Sequence, residues 1–168
     1  MSRVYVRQPL MTDQAEFLET VRKSSALHAA WVSPPATAEQ FGLYLEKRHA
    51  INSAAFLICH AASDEIVGVV NVTNIILGAF CSAYLGYYAF AGYERQGLMQ
   101  EGLLSVMAHA RDKLGLHRLE ANIQPDNAPS IALVKKCGFS LEGYSPQYLK
   151  IHGQWRDHER WAVILSAN

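Results

Sequence analysis

The chain has 168 residues, half of them hydrophobic and 18% charged, and its fifteen basic residues offset fifteen acidic ones. That length suits one domain with a substantial core, spanning residues 1–168. The composition excludes a disordered chain, and the charge balance argues against broad electrostatic binding of nucleic acid. Cys59, Cys81 and Cys137 are odd in number and lack CxxC spacing. This speaks against a disulfide framework or a zinc site and fits a reducing cytoplasm. Cys59 and Cys81 sit in apolar runs and are expected to be small core residues. Met1-Ser2-Arg3-Val4 is no apolar signal segment, and the longest apolar stretches are strand-sized, so no membrane span is expected.

Val4 to Arg7 reads as a first strand. Thr12 or Asp13 can cap a helix running to about Lys23, with Phe17, Leu18 and Val21 on its buried side. Leu27 to Pro35, with Trp31 and two prolines, reads as a loop in which either Trp31 and Pro34-Pro35 wall a site or, equally, Trp31 is simply a buried loop residue. Thr37-Ala38-Glu39-Gln40 has capping-box spacing and opens a helix that buries Phe41, Tyr44 and Leu45. Three strands follow, Ala54 to Cys59, Ile66 to Val72 and about Ser82 to Phe90. Met99, Leu103, Val106, Met107, Ala110 and Leu114 mark one face of a long helix ended by Gly115. Arg118 to Ile123 is the next strand. Asn127 caps a helix with Pro129 in its first turn, ending at Gly138. Phe139 to Ile151 and Arg160 to Leu165 supply the last strands, joined through His152-Gly153-Gln154-Trp155. The order predicts an α/β domain with a mixed central sheet.

The most informative stretch is Tyr93-Glu94-Arg95-Gln96-Gly97-Leu98-Met99-Gln100-Glu101, a polar turn between the strand ending Tyr87-Tyr88-Ala89-Phe90 and the long helix. The first N–H groups of a helix have no intrahelical partners. The macrodipole adds roughly half a positive charge there. Gly97 lets another backbone come close. Such a device suits a diphosphate. It is neither a Walker A loop, since no Gly-Lys-Ser/Thr follows, nor a dinucleotide fingerprint, since the further glycines are missing.

That order of elements, the Arg95 to Met99 loop and several further segments together resemble the GNAT superfamily of N-acetyltransferases. The segments are Leu116 to Ala121, Pro125-Asp126-Asn127-Ala128-Pro129-Ser130, Cys137-Gly138-Phe139, Glu142-Gly143-Tyr144 and Tyr148 to His158. The last of these is most similar to the branch that acetylates N-terminal amines of ribosomal proteins. The resemblance implies a mixed sheet splayed between two parallel strands and flanked by helices, with acetyl-CoA bound in the gap. Backbone amides of Tyr87, Tyr88 and Ala89 would meet the pantetheine by strand addition. The pyrophosphate would lie on Arg95, Gln96, Gly97, Leu98, Met99 and Gln100. Asn127 would contact the pantetheine arm, besides or instead of capping its helix. The loop departs from the superfamily pattern Arg/Gln-x-x-Gly-x-Gly/Ala, with Glu94 first and Met99 last, so Glu94 must turn away from the phosphates.

Direct acyl transfer needs a neutral amine, a polarised carbonyl, a stabilised oxyanion and a proton for the leaving thiolate. The superfamily's usual acid, a Tyr on the helix after the Asn, is replaced here by Val134. The ribosomal branch implies Ser130 instead, which can equally be a first-turn Ser bonding its own backbone. The usual base positions hold Tyr84 and Asn122. Glu120 shares their face only if its strand is regular, and a lone strand Glu is commonly a salt-bridge partner. His28, His117, His152 and His158 lack metal spacing; His152 and His158 flank a hairpin tip that can border the acceptor.

Two functions fit. The first is an enzyme moving acetyl from acetyl-CoA to a primary amine, foremost the N-terminus of a ribosomal or other cytoplasmic protein, with a polyamine, amino acid or amine drug as the alternative acceptor. The second is an acyl-CoA-binding module without turnover, motivated by the missing Tyr and Glu. Neither calls for a metal, a membrane or direct contact with nucleic acid. The sequence leaves open whether the protein oligomerises.

Overall fold

A computed structural model describes residues 2–165. Met1 and residues 166–168, which the sequence reading assigned to the same domain, lie outside the described residues. In chain order the elements are β1 (Val4–Arg7), a 3-10 turn (Met11–Asp13), α1 (Gln14–Lys23), α2 (Ser25–His28), α3 (Ala38–Arg48), β2 (Ala54–His60), β3 (Ile66–Ile76), β4 (Ser82–Ala89), α4 (Leu98–Asp112), β5 (Arg118–Ile123), α5 (Ala128–Lys136), β6 (Ser140–Ile151) and β7 (Gln154–Ile164). The seven strands form one sheet in the order β1-β2-β3-β4-β5-β7-β6. Only β4 and β5 run parallel; every other pair is antiparallel. The expected α/β class with a mixed sheet is what the chain adopts.

Each face of the sheet carries its own core. Alternation decides which residue goes where, because successive strand side chains point to opposite faces. On β5, Leu119, Ala121 and Ile123 are buried beneath α4 and α5, while Arg118, Glu120 and Asn122 face the other way, half-buried. Leu98, Leu103, Val106 and Ala110 of α4 complete the first core. Phe17 and Val21 of α1, Phe41, Tyr44 and Leu45 of α3, and Leu57, Val69 and Phe90 of the sheet make the second.

The helix ends are mostly where the sequence placed them. The Thr37 hydroxyl accepts from Gln40 N–H at 3.2 Å, but Gln40 Oε1 accepts from Ala36 N–H rather than closing the capping box on Thr37. Gly115 takes a φ of 67°, and across it Leu116 N–H donates to Ala110 O at 3.0 Å, which ties the chain back onto the last turn of α4. Several details differ from expectation, among them the end of β3, which lies at Ile76 rather than Val72. Part of the segment read as a loop from Leu27 belongs to the single turn α2. β7 begins at Gln154 rather than Arg160, because His152 and Gly153 both take left-handed φ, 49° and 79°, and close a two-residue hairpin. Cys81 is half-exposed with a φ of 42°, ahead of β4, and is no core residue; Cys59 is fully buried.

Asp13 stands at the N-cap position of α1, but its carboxylate turns back. It accepts from both Arg7 guanidinium nitrogens, at 2.7 and 2.8 Å, and from Leu10 N–H at 2.7 Å. Burial opposes its charge, yet these bonds outweigh burial and hold the carboxyl below its ordinary value. Because the folded value is depressed, this anchor is fully present above the unfolded value, about pH 3.9, and is lost as pH falls through the folded one. Asp13→Ala is expected to cost about 1.5–3 kcal/mol at pH 7. In urea titrations the gap from the parent should shrink at pH 3; an equal gap at both pH values would contradict the assignment.

Candidate active site

The site begins where the parallel pair fails. β4 and β5 stay in register from Ser82 opposite Arg118 to Leu85 opposite Ala121. Beyond that point β4 continues with β3 to Ala89, and β5 continues with β7 to Ile123. A wedge opens between them, so one side of β4 has no strand partner. Phe90 N–H donates to Val67 O at 2.8 Å. By the alternation of an antiparallel ladder, Tyr88 therefore turns its backbone groups to β3, while Tyr87 and Ala89 turn theirs into the wedge. Ala89 O already accepts from His28 Nε2 at 2.7 Å. A carbonyl can only accept, so Nε2 carries the proton. The other ring nitrogen, Nδ1, is buried without a partner.

The wedge opens into a cavity of about 890 Å³, within the size range of small-molecule sites. At one end lies the loop ahead of α4. Arg95 and Gly97 take left-handed φ of 60° and 79°, a curl that turns successive amides to one side. Gly97 is the N-cap of α4 and contributes no side-chain bond, so the first N–H groups of the helix remain free for an anion. Arg95, Gly97, Met99 and Gln100 line the cavity. Gln96 and Leu98 do not: the Gln96 side chain bonds Gly92 O at 2.8 Å, and Leu98 is buried in the first core. A contact from either to a ligand can only be made by its backbone. Glu94 lines the cavity, but its carboxylate folds back to accept from Gly92 N–H at 2.7 Å.

The far wall is the start of α5. Asn127 Oδ1 accepts from Ser130 N–H at 3.3 Å, the cap read from the sequence, and both residues line the cavity. Ser130 has a partner that sequence reasoning missed. The Tyr87 and Ser130 hydroxyl oxygens lie 2.6 Å apart, and either can donate. Burial pushes the Tyr87 phenol well up, with the Ser130 bond opposing, so it stays protonated at neutral pH. The only sequence signal for this pair was the vacancy at Val134: a missing hydroxyl on α5 invites one from a neighbouring strand.

On the opposite face of the sheet, Tyr84, Glu120 and Asn122 share one side, since β5 is regular. Glu120 is engaged by Arg118 at 3.0 Å, and Arg118 also grips Glu142. It is a salt-bridge partner. Asn122 Oδ1 and Arg160 Nε are buried without partners there. His158 is buried and its Nδ1 donates to Arg156 O, whereas His152 meets Ser33 Oγ at 3.3 Å, tying the β6–β7 tip to the loop after α2. Trp31 lines the cavity; Pro34 and Pro35 line a neighbouring groove. Among the described residues no three His, Cys, Asp or Glu side chains cluster to hold a metal.

A parallel pair that splits beside an amide-rich helix start puts an open strand edge and an anion-binding helix end on one cavity, which suits a long, phosphate-bearing ligand. Residues 3–140 match the model of the acetyltransferase (GNAT) domain, and the chain belongs to that family. It is an N-acetyltransferase with acetyl-CoA as donor. It is 34% identical over 121 residues to a probable N-acetyltransferase, YjcK, of Bacillus subtilis (strain 168), a match taking in 72% of this chain and 67% of that one. It is 42% identical over 94 residues to the [ribosomal protein uS5]-alanine N-acetyltransferase of Escherichia coli (strain K12), covering 56% of this chain and 48% of that relative, about half its length. In three dimensions it is similar to Mycobacterium smegmatis RimJ in complex with CoA-disulfide, with a TM-score of 0.86 at 26% identity over 96% of this chain and 81% of that one.

Proposed function

We propose that this chain acetylates the N-terminal α-amine of a protein, with a cytoplasmic ribosomal protein as the foremost acceptor and residues 1–168 acting as one catalytic domain. The observation that carries this reading is the absence of a free carboxylate at the base positions. Tyr84 and Asn122 occupy them, and Glu120 is held by Arg118. A protein α-amine has a pKa of roughly 7.7–8.0 and a Lys side chain about 10.4, so deprotonation at pH 7 costs about 1–1.4 and about 4.6 kcal/mol respectively. A site without a strong base suits the first. The 42% identity to the uS5-alanine enzyme supports the same direction.

In this reading Tyr87 and Ala89 offer backbone groups to the pantetheine, the amides from Arg95 to Gln100 hold the pyrophosphate, and Asn127 borders the pantetheine arm. The amine nitrogen attacks the thioester carbonyl carbon, the C–S bond breaks, and the amine's proton leaves to water. The departing thiolate takes a proton from Ser130, Ser130 takes one from Tyr87, and Tyr87 recovers its own from solvent in the cavity.

Thiol release from acetyl-CoA should appear with peptides that begin with free Ala or Ser and be absent with N-terminally blocked peptides containing Lys. Turnover on the blocked peptides, or on small amines alone, would sink the reading. Tight acetyl-CoA binding without turnover on any amine would favour a binding module.

A further inference from the structure

Resting on the peptide-acceptor reading, we infer that the groove between α3 and the Val32–Pro35 loop receives an acidic side chain of the acceptor, downstream of its reacting amine. The groove holds about 410 Å³ and shares Val32 and Tyr88 with the donor cavity, so the two spaces adjoin across the Tyr88 side chain. A chain whose amine reaches the wedge can lay its next residues there.

The charged lining of this groove is cationic. Lys47 is exposed and Arg48 half-buried, one residue apart on α3, and no carboxylate lines the groove among the described residues. Two atoms stand out. The Tyr88 hydroxyl and Arg48 Nε are both buried and have no hydrogen-bond partner. Buried polar groups are nearly always paired, so two unpaired groups in one groove point to something they bind. The Asn71 Oδ1 acceptor in the lining is already taken: it receives the Tyr44 hydroxyl at 2.7 Å. Arg48 is held in place over the Tyr44 ring, 5.6 Å from its centroid, and by Ser53 Oγ at 3.3 Å. A carboxylate accepts several bonds at once and offsets both cations. An ammonium group would meet two like charges and leave Arg48 Nε unpaired, which disfavours a polyamine here.

The test compares peptides sharing a free N-terminal residue and differing only in Asp, Asn or Lys at the second to fourth positions, with aminocarboxylates and diamines alongside. The Asp peptides should exceed the Lys peptides in kcat/KM by roughly tenfold or more, the effect of one charge-assisted bond. Lys47→Glu, at an exposed position, should erase or reverse the order, and Arg48→Gln should collapse it. The same peptides are titrated calorimetrically onto the CoA-loaded protein, so that binding decides the matter even without turnover. Equal binding of Asp and Lys peptides, or an order unchanged in Lys47→Glu, overturns the inference. If only small amines are acetylated, the peptide reading fails by itself. The groove is then judged on those amines: preference for aminocarboxylates upholds its selectivity for anions, and preference for diamines overturns it.

Discussion

Ser130→Ala is expected to lower kcat by roughly a hundredfold, at the lower end of what a positioned acid contributes, with little change in acetyl-CoA affinity. That factor corresponds to about 2.7 kcal/mol of transition-state stabilisation. The expectation follows from the 2.6 Å contact between the Ser130 and Tyr87 hydroxyls at the cavity wall. A thiolate leaving from the wedge is charged, and burial of the Tyr87 phenol keeps that group protonated at neutral pH. Removing the Ser130 hydroxyl breaks the connection without touching the loop amides that would hold the pyrophosphate. Tyr87→Phe leaves the strand backbone intact and should also lower kcat, but less, since Ser130 would keep its own proton to give. Steady-state thiol release with a peptide acceptor, read beside equilibrium binding of acetyl-CoA, separates the two parameters. Full kcat in both variants would remove the hydroxyl pair from the chemistry. Loss of binding in parallel with kcat would reduce Ser130 to a helix-start residue.

Phe17→Ala should cost about 3–5 kcal/mol, a large share of the roughly 5–15 kcal/mol that holds a domain together. Phe17 is fully buried. Its ring lies 4.8 Å from Phe41, 5.7 Å and edge-on from Phe90, and 6.0 Å from Tyr44. These contacts join α1, α3 and the end of the sheet, and no other aromatic ring can swing in without leaving its own place. Phe90 directly follows Ala89, so the cluster also fixes the strand end that faces the wedge. Urea unfolding should show a lower midpoint with an unchanged slope. Ile51→Ala, at a fully exposed position, should stay within about 0.5 kcal/mol of the parent. A Phe17→Ala loss under about 1 kcal/mol, well below the usual range for such a deletion, would mean that the second core collapses around the gap.

The helix starts and strand faces around the cavity were legible in the sequence because their signals are local. Gly97 opens α4, Asn127 caps α5, and alternation along β5 sorts its side chains, each within a few residues of chain. The contacts that close the cavity are assembled from distant pieces. His28 meets Ala89, Ser33 meets His152, and Tyr87 meets Ser130 only once the sheet has formed. Periodicity carries no record of such meetings. The same reason explains the misjudged ends. Cys81 looked apolar by its neighbours, but the turn into β4 lifts it out of the core. The early start of β7 depends on two left-handed residues, His152 and Gly153, of which only Gly153 announces itself. Glu120 could be placed on its face from the sequence, but its engagement by Arg118 could not.

The most direct measurement locates the acetyl group by mass spectrometry on an intact ribosomal protein with a free Ala or Ser N-terminus, after incubation with the enzyme and acetyl-CoA. The account predicts one acetyl group, on the N-terminal nitrogen. Acetyl groups on Lys side chains, or none while a small amine is acetylated in the same mixture, would contradict it.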